Sequence, residues 1–206
     1  MYRPGAFAVD DIAVLHDVIR ERVFATVAAI IDGGIRFAHA PVVLDGNGVR
    51  FHLAARNPLA QVADGTRMWL TFGAADAYVS PDWYASTVTV PTWNYIAVEG
   101  EGVTRRQTRE DLRQLVIDLS AQEEAKLAPK PPWLIDKVPP ARTEALLNAI
   151  VGFSLAFERL EGKFKLSQDK RPDDIAGVIV RLEERGDPAS LAVARAMRKA
   201  SSHPMA

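Results

Sequence analysis

The hydrophobic pattern of the N-terminal quarter changes from a helical to a strand period near residue 23. Ile12, Leu15 and Ile19 recur at helical spacing, and Asp10-Asp11 stands where it can cap the helix that they define. Beyond them, β-branched and apolar side chains fill three segments separated by Gly-containing turns, at residues 23–31, 35–44 and 49–54. The pattern predicts a short helix that ends near residue 22, followed by a three-stranded antiparallel meander.

More strand-like stretches follow the meander, and prolines interrupt the chain between them. They lie at residues 68–72, 77–80 and 93–103, with Pro81 and Pro91 in the intervening segments. Residues 151–158 alternate between large apolar and small or polar side chains, which is the period of a strand with one buried face. A further extended segment is predicted at residues 164–168.

Helical signals surround the later strands. Thr108 and Asp111 resemble a capping box ahead of an apolar helical stripe that stops before Pro129. After the helix that stops before Pro129, three more are expected, at residues 141–149, 173–185 and 187–199, and Gly186 closes the second of these. The predicted fold class is therefore α+β and mainly β, with peripheral helices and a C-terminal helical pair.

Composition places the chain among ordinary globular proteins. Of its 206 residues, 48% are hydrophobic and 25% are charged, which predicts a single domain over residues 1–168 and a helical extension packed on it over residues 169–206. Because the chain has no cysteine and no apolar run of membrane-spanning length, we expect a cytoplasmic protein without disulfides. The histidines, at positions 16, 39, 52 and 203, lack metal-ligand spacing, so no metal site is expected.

The first candidate for chemistry is a basic cluster around His52. In an extended chain Arg50, His52 and Arg56 share one face, and Asn57-Pro58 then ends the strand in a turn. Two guanidinium groups and an imidazole suit a phosphomonoester, because arginine donates paired, charge-assisted hydrogen bonds. The pattern is also typical of a solvated strand edge, and spacing alone leaves both interpretations open.

Aromatic side chains beside prolines form the second candidate. They lie in residues 78–84 and 90–95, together with Ser80, Thr92 and Asn94 as hydrogen-bonding groups. Aromatic rings at strand ends can form a rigid wall for a planar ligand. They can also simply close one end of a barrel, and the sequence does not choose between the two interpretations.

The third candidate is the segment at residues 162–168. If the segment is extended, Lys163, Lys165 and Ser167 share one face, while Phe164 and Leu166 lie on the buried face. Two ammonium groups and a hydroxyl group are suited to bind a phosphate. The alternative is an edge strand that lysines protect from pairing with other chains.

Taken in order, these motifs resemble the PaiB-type FMN-binding negative transcriptional regulators, a branch of the flavin-binding split-barrel proteins. The resemblance covers nearly the whole chain, begins with Met1-Tyr2-Arg3-Pro4 and is strongest at residues 90–95, Val-Pro-Thr-Trp-Asn-Tyr. It also includes residues 52–58, 78–84, 150–153 and 161–168. The resemblance implies a six-stranded antiparallel split β-barrel, a homodimer, and FMN in a groove that two subunits share.

The resemblance further implies which residues bind the cofactor. Carried over position by position, they are His52, Arg56, Asn57, Ser80, Thr92, Trp93, Asn94, Lys165, Ser167 and Gln168. Arg56 is included although the family's basic residue stands one position earlier, where this chain has Ala55, because a bulge or turn would restore it. Two other departures are the short, uncharged stretch at residues 85–89 and Asp169, where an asparagine commonly follows Ser-Gln.

An FMN-binding regulatory protein is the leading hypothesis, and its regulatory part comes from the resemblance alone. A homodimer is expected also because an open groove lined by Trp83 and Trp93 would otherwise leave an exposed apolar patch. The alternatives are a flavin-dependent oxidoreductase without a regulatory role and an FMN-free dimer that keeps the fold. No acid, base or nucleophile stands out, so no catalytic residue is assigned.

DNA binding is implied by the resemblance but is not supported by charge. With 25 basic and 26 acidic side chains the net charge is −1, and residues 163–199, which include the two C-terminal helices, carry nine basic and six acidic side chains. We therefore expect the isolated protein to bind DNA weakly and in a strongly salt-dependent way.

Overall fold

The computed structural model describes residues 1–202, which form eight strands and five helices. The last four residues of the predicted C-terminal extension, 203–206, which include His203, lie outside the described residues. The strands are β1 (Ala8–Val9), β2 (Phe24–Ile31), β3 (Gly34–Leu44), β4 (Gly48–Ala54), β5 (Arg67–Val79), β6 (Thr92–Arg106), β7 (Ile150–Ala156) and β8 (Arg159–Lys165). The helices are α1 (Ile12–Arg22), α2 (Arg109–Ala125), α3 (Pro140–Leu147), α4 (Pro172–Arg185) and α5 (Pro188–Ser202).

The strands follow the hydrogen-bonded order β1-β8-β6-β5-β2-β3-β4-β7, and β6 pairs with β7 as well. This last pairing closes a ring of the six strands β2 to β7, while β1 and β8 lie outside the ring. The pairs β1–β8, β2–β3, β2–β5, β3–β4, β4–β7 and β6–β7 are antiparallel. The predicted α+β, mainly β, split-barrel class with peripheral helices is confirmed.

Local sequence signals account for the first half of the fold. Asp11 caps α1, because its Oδ1 accepts a hydrogen bond of 2.8 Å from the backbone N–H of Ala13. Asp32 and Gly33 join β2 to β3 with φ angles of 51° and 72°, the left-handed conformation that a two-residue hairpin turn requires. At α2, Thr108 and Asp111 form the predicted capping box. These elements are confirmed close to their predicted boundaries.

Strand β5 differs from the prediction of two separate stretches. It runs without interruption from Arg67 to Val79. Its alternation changes phase at Gly73 and Ala74, so that buried Phe72 is followed by buried Ala75. The small side chains between the two stretches permit this phase change without ending the strand. The sequence pattern had predicted a break at this point.

The end of β8 also differs from the prediction. An extended segment through residue 168 was expected, but the strand ends at Lys165, and Ser167 has a φ angle of 67°. A left-handed serine reverses the chain direction, which removes Ser167 from the face of Lys163 and Lys165. The three-residue face predicted from strand alternation is therefore wrong at its third member.

The chain divides into two compact units, which we call the terminal unit and the central unit. Among the described residues, the terminal unit comprises residues 1–18, 73–98 and 161–202, and the central unit comprises residues 19–72 and 99–160. The predicted division after residue 168 stays a prediction. Within residues 1–202, no helix is both long and apolar enough to cross a membrane.

Each unit has its own buried apolar contacts. In the central unit Phe51 on β4 lies opposite Phe153 on β7, and the two fully buried rings stack with centroids 5.6 Å apart. Leu112 and Leu115 of α2 pack against Val43 in the same unit. In the terminal unit, α4 and α5 bury a set of apolar side chains, namely Val178, Ile179, Leu182, Val193, Ala194 and Met197.

Close approach of two backbones at Gly48 gives a test of the β4–β7 register. A Cβ added at Gly48 would lie 2.3 Å from the carbonyl oxygen of Leu155 and 2.9 Å from Cα of Ala156. Because backbone atoms cannot move aside as a flexible side chain does, we expect Gly48→Ala to lower the free energy of unfolding by about 1–3 kcal/mol. Urea denaturation measures this change.

The matched control is Gly73→Ala on β5, where an added Cβ meets no atom within 4 Å. This variant should unfold at the same urea concentration as the wild type or a slightly higher one. Equal stability of Gly48→Ala and Gly73→Ala would contradict the register of β4 and β7.

Candidate functional site

Lys165, the last residue of β8, is held by the first two residues of β6. Its Nζ donates one hydrogen bond of 2.6 Å to Thr92 Oγ1 and another of 2.8 Å to the carbonyl oxygen of Trp93. The ring centroid of Phe7 lies 6.0 Å from the same nitrogen. Within the described residues 1–202, Lys165 forms no ion pair with a carboxylate. The terminal unit thus contains a half-buried cation, and no carboxylate of the described residues is in contact with it.

The electrostatic surroundings of Lys165 favour an anionic ligand. Burial lowers the pKa of Lys165 below its ordinary value; the charge of Asp169 opposes this effect, and the charges of Lys170 and Lys163 add to it. An ammonium group has three donor hydrogens, and Thr92 and Trp93 use two of them. Because Thr92 Oγ1 accepts from Lys165, its own hydroxyl hydrogen points elsewhere and is a further donor.

Asp169, the acidic departure from the family pattern, is paired with its neighbour. Its carboxylate lies 3.1 Å from Nζ of Lys170, and this contact raises the pKa of Lys170. Asp169 therefore forms its ion pair with Lys170 and not with Lys165, although its charge still acts on Lys165. Lys165 itself has no carboxylate within ion-pair distance in residues 1–202.

Lys163 lies two residues before Lys165 on β8, and so on the same face of the strand. Its Nζ is 5.3 Å from the ring centroid of Tyr2 and 5.4 Å from that of Tyr95, which are cation–π distances. The pairing of Ala8 with Lys163 brings the N-terminal segment to this strand. Tyr2 and Tyr95 belong to the motifs noted in the sequence, but their contacts with Lys163 depend on long-range strand pairing and were not predicted.

The aromatic segments separate into an exposed part and a buried part. Tyr78 and Trp93 meet edge to face with ring centroids 6.3 Å apart, and they are 40% and 53% exposed. Tyr84 is buried, and Trp83 is half-buried next to Gly177 of α4. Ser80 caps the short turn at Pro81–Trp83 by accepting a hydrogen bond from the N–H of Asp82. The ring wall available to a ligand therefore consists of Tyr78 and Trp93.

Asn94 and Ser167 contact each other inside the terminal unit. Both are buried, Asn94 completely, and Asn94 Nδ2 lies 3.0 Å from Ser167 Oγ, which in turn lies 3.2 Å from Asn94 Oδ1. Asn94 Nδ2 also lies 3.4 Å from the sulfur of Met197 on α5. This arrangement uses the polar groups of both residues within the fold, so their visible role is to hold the turn after β8 against β6.

Gln168 completes the same turn. Its Oε1 accepts a hydrogen bond of 2.7 Å from the N–H of Leu166, and its Nε2 lies 2.5 Å from the carbonyl oxygen of Phe164. Gln168 also lines a cavity of about 670 Å³ between the N-terminal segment and helices α4 and α5. Among the predicted residues of the terminal unit, Thr92, Trp93 and Lys165 meet as one cluster, and Asn94, Ser167 and Gln168 support it.

The predicted residues of the central unit lie at and beyond the end of β4. The strand ends at Ala54, and Arg56 is exposed in the turn that follows. Asn57 caps the next turn, since its Oδ1 accepts a hydrogen bond of 2.9 Å from the N–H of Leu59. Arg50 is paired with Asp118 of α2 at 2.8 Å and with Asp45 at 3.2 Å. The predicted phosphate-binding face of Arg50, His52 and Arg56 is therefore not formed, because the strand is too short and Arg50 already has carboxylate partners.

His52 is the remaining candidate on β4. The ring is half-buried, and its Nδ1 is shielded from solvent without a hydrogen-bond partner in residues 1–202. Burial lowers the pKa of His52, which favours the neutral imidazole. A neutral imidazole has one donor and one acceptor nitrogen and is suited to a polar ligand group.

The fold defines a protein of the split-barrel class, and the sequence comparisons give its flavin-binding family. Residues 1–159 match the family model described as "Putative FMN-binding domain". The match covers more than half of the chain, and the chain belongs to this FMN-binding family, as its resemblance to PaiB-type proteins predicted. The cofactor of the family is FMN.

Relatives with nearly full coverage are found in bacteria and fungi. The chain is 29% identical to the protease synthase and sporulation protein PAI 2 of Bacillus subtilis, with 96% of both chains covered. It is also 29% identical to an uncharacterized protein of Emericella nidulans, with 97% of both chains covered.

Two solved structures share the fold at low sequence identity. The FAD and heme binding protein from Mycobacterium smegmatis has a TM-score of 0.59 at 18% identity, with 82% of this chain and 78% of that chain covered. The flavocytochrome Anf3 from Azotobacter vinelandii has a TM-score of 0.57 at 18% identity, with 80% and 72% covered. At these identities the likeness concerns the fold alone.

The residues of the terminal unit fit FMN. A phosphomonoester needs cationic and hydroxyl donors, and Lys165 and Thr92 supply both. An isoalloxazine ring can stack on a single flat aromatic face, and exposed Trp93 supplies one, with Tyr78 standing edge to face beside it. The fit depends on one observation, that Lys165 has no carboxylate in contact with it in residues 1–202.

The buried pair of Asn94 and Ser167 gives a test of its structural role. Replacing Asn94 with Leu leaves Ser167 Oγ buried without a partner, so we expect the free energy of unfolding to fall by about 1–3 kcal/mol in the absence of FMN. Urea denaturation of the cofactor-free protein measures this loss.

The control for this test is Thr92→Val, which removes a half-exposed hydroxyl and should cost less stability. If Asn94→Leu left stability unchanged and weakened FMN binding alone, Asn94 would be a ligand-binding residue and its structural role would be wrong.

Proposed function

We propose that this protein is a homodimeric, PaiB-type regulatory protein that binds FMN through its phosphate at Lys165 and holds the flavin where two subunits meet. The observation that carries the proposal is the half-buried Lys165 ammonium group, which has two neutral acceptors and no carboxylate partner in residues 1–202. A partly desolvated cation gains most from a dianion that completes its hydrogen bonds.

Thr92 and Lys163 extend the phosphate-binding cluster. The hydroxyl hydrogen of Thr92 adds one neutral donor beside the ammonium group of Lys165. Lys163, on the same face of β8, adds a second positive charge that the rings of Tyr2 and Tyr95 hold in place. Two cations on β8 and a hydroxyl group on β6 favour a phosphate over a carboxylate or a neutral ligand.

Trp93 and Tyr78 are proposed to contact the isoalloxazine ring. Trp93 is linked to the phosphate cluster directly, because its carbonyl oxygen accepts a hydrogen bond from Lys165. Ser80, His52, Arg56 and Asn57 remain in the proposed set of flavin-binding residues by family resemblance. Asn94, Ser167 and Gln168 are proposed to act through the turn that places Lys165.

FMN, when bound, supplies one- and two-electron redox chemistry, and the role of the protein is to bind and orient it. The name of the Bacillus subtilis relative, a protease synthase and sporulation protein, supports a regulatory rather than a purely metabolic role. The absence of cysteine is consistent with the cytoplasmic location that we propose.

A homodimer is supported by an exposed apolar face on the β2–β3 hairpin of the central unit. Phe24, Ile30, Ile35 and Phe37 are each about 60% exposed. Ile30 lies directly opposite Ile35 in the register, so their side chains share one face of the sheet. An apolar face of this kind is suited to a second copy of the same face, as in an isologous dimer.

Replacing Lys165 with Ala tests the phosphate contact. Loss of a charge-assisted hydrogen bond to a dianion is worth on the order of 1.5–3 kcal/mol, so FMN affinity should fall roughly ten- to hundredfold. Riboflavin, which has the ring but no phosphate, should bind to the variant about as well as to the wild type. Fluorescence titration with both ligands measures the difference.

Two variants serve as controls for Lys165→Ala. Lys126→Ala removes a lysine of the central unit that is paired with Glu123 and should leave both affinities unchanged. Trp93→Ala should weaken both ligands, because a ring contact does not depend on the phosphate. Equal losses of FMN and riboflavin in Lys165→Ala would show that the phosphate is bound elsewhere.

Replacing Phe37 with Asp tests the dimer face. A carboxylate opposite Ala28 in the middle of the hairpin face would have to be desolvated in the dimer, so the variant should be monomeric, with the 22.6 kDa mass of one chain. Light scattering at micromolar concentration should give twice this mass for the wild type.

Val88→Asp is the matched control, since Val88 is 95% exposed and lies away from the hairpin in sequence, in the terminal unit. It should remain dimeric. A monomeric wild type would refute the homodimer, and a dimeric Phe37→Asp variant would refute this choice of interface.

A further inference from the structure

Gln107 lies beside His52, in the space that a side chain at position 152 would fill if that residue were not glycine. In the register of β4 and β7, His52 lies directly opposite Gly152. A Cβ added at Gly152 would lie 2.5 Å from Gln107 Oε1, 3.0 Å from Leu112 Cδ1 and 3.2 Å from Gln107 Cβ. The side chain of Gln107 therefore lies where the side chain of residue 152 would begin.

This placement makes Gln107 the cross-strand neighbour of His52. Residues directly opposite each other in an antiparallel pair carry their side chains on the same face, with Cβ atoms about 4.5–5.5 Å apart. Because Gly152 has no side chain, the amide of Gln107 takes the neighbouring position instead. Its backbone N–H donates a hydrogen bond of 2.9 Å to the carbonyl oxygen of Gly152, which fixes Gln107 between β6 and α2.

The two side chains each have a buried polar atom without a partner in the described part of the chain. These atoms are Nδ1 of His52 and Oε1 of Gln107. An amide oxygen can only accept, whereas an imidazole nitrogen donates when it carries the proton. The two atoms satisfy each other only if His52 carries its proton on Nδ1. Arg50, the cation nearest to His52 along that face of β4, is already paired with Asp118 and Asp45.

We infer that Gln107 is a positioning residue for His52: a small rotation of the two side chains brings Oε1 of Gln107 to the Nδ1–H group of His52, whose hydrogen it accepts, and leaves Nε2 as the acceptor that faces a ligand. Gly152 is required because any side chain there would displace the amide. The assignment of Nε2 to the flavin rests on the proposed function, whereas the position of the proton does not.

The experiment is a long-range ¹H–¹⁵N spectrum of the histidine side chains, recorded without FMN, which reports the proton position on each ring. His52→Asn identifies the signals of His52. In the wild type we expect the proton on Nδ1. In Gln107→Met, which keeps the length of the side chain and removes the acceptor, the proton should move towards Nε2.

Gly152→Ala should give the same change as Gln107→Met, because the added methyl group displaces the amide. Gln122→Met, a glutamine of α2 that contacts Val42 and Glu123 instead, is the control and should leave the His52 signals unchanged. A wild-type proton on Nε2, or no change in Gln107→Met, would overturn the inference.

FMN titration separates this inference from the proposed function. If His52 Nε2 contacts the flavin, Gln107→Met should weaken FMN binding roughly two- to tenfold, the range expected for one neutral hydrogen bond. A proton shift with unchanged FMN affinity would support the positioning role and exclude His52 from the flavin site. Thermal melts of each variant show that the measured changes belong to folded protein.

Discussion

The charge of Lys165 is the constraint on which the arrangement of the candidate site depends. A half-buried ammonium group loses part of its hydration, and in this chain the loss is offset by Thr92 Oγ1 and the Trp93 carbonyl oxygen, without a carboxylate. Neutral acceptors stabilise the cation but do not cancel its charge. The segment therefore retains a positive potential beside exposed aromatic rings, which is the combination that a flavin phosphate requires.

Holding Lys165 in this place requires a particular turn. The chain leaves β8 at Lys165, reverses at Ser167, and is fixed by the buried contact between Ser167 and Asn94. A left-handed serine is uncommon, and it persists here because its hydroxyl group finds a buried amide partner. Nothing in the sequence distinguished among the predicted flavin-binding residues of this unit. In the structure, some of them are available to a ligand and others shape the turn.

Much of the fold follows from local sequence signals. Asp32-Gly33 defines a hairpin turn, Thr108 and Asp111 define the start of α2, and Gly186 ends α4 in the left-handed conformation. These elements could be predicted because each depends on residues within a few positions of one another. The family could be predicted as well, from the order of its motifs along the chain.

The remaining features depend on contacts between distant residues. The pairing of Ala8 with Lys163 brings aromatic residues of the N-terminal segment to β8, and no local pattern indicates it. Strand alternation placed Ser167 beside Lys165, because period-two reasoning assumes that the strand continues. Likewise, Arg50 was predicted to belong to a phosphate-binding face, but in the structure it forms an ion pair with Asp118 of α2. Such compensation of a charge by a distant residue is not visible in the sequence.

The most direct measurement of the central claim is a crystal structure of the protein with bound FMN. The account predicts a phosphate oxygen about 2.7–2.9 Å from Nζ of Lys165, the distance of a charge-assisted hydrogen bond, with the flavin ring against Trp93. A structure in which FMN is bound with its phosphate away from Lys165, while Lys165 contacts only Thr92 and Trp93, would contradict it.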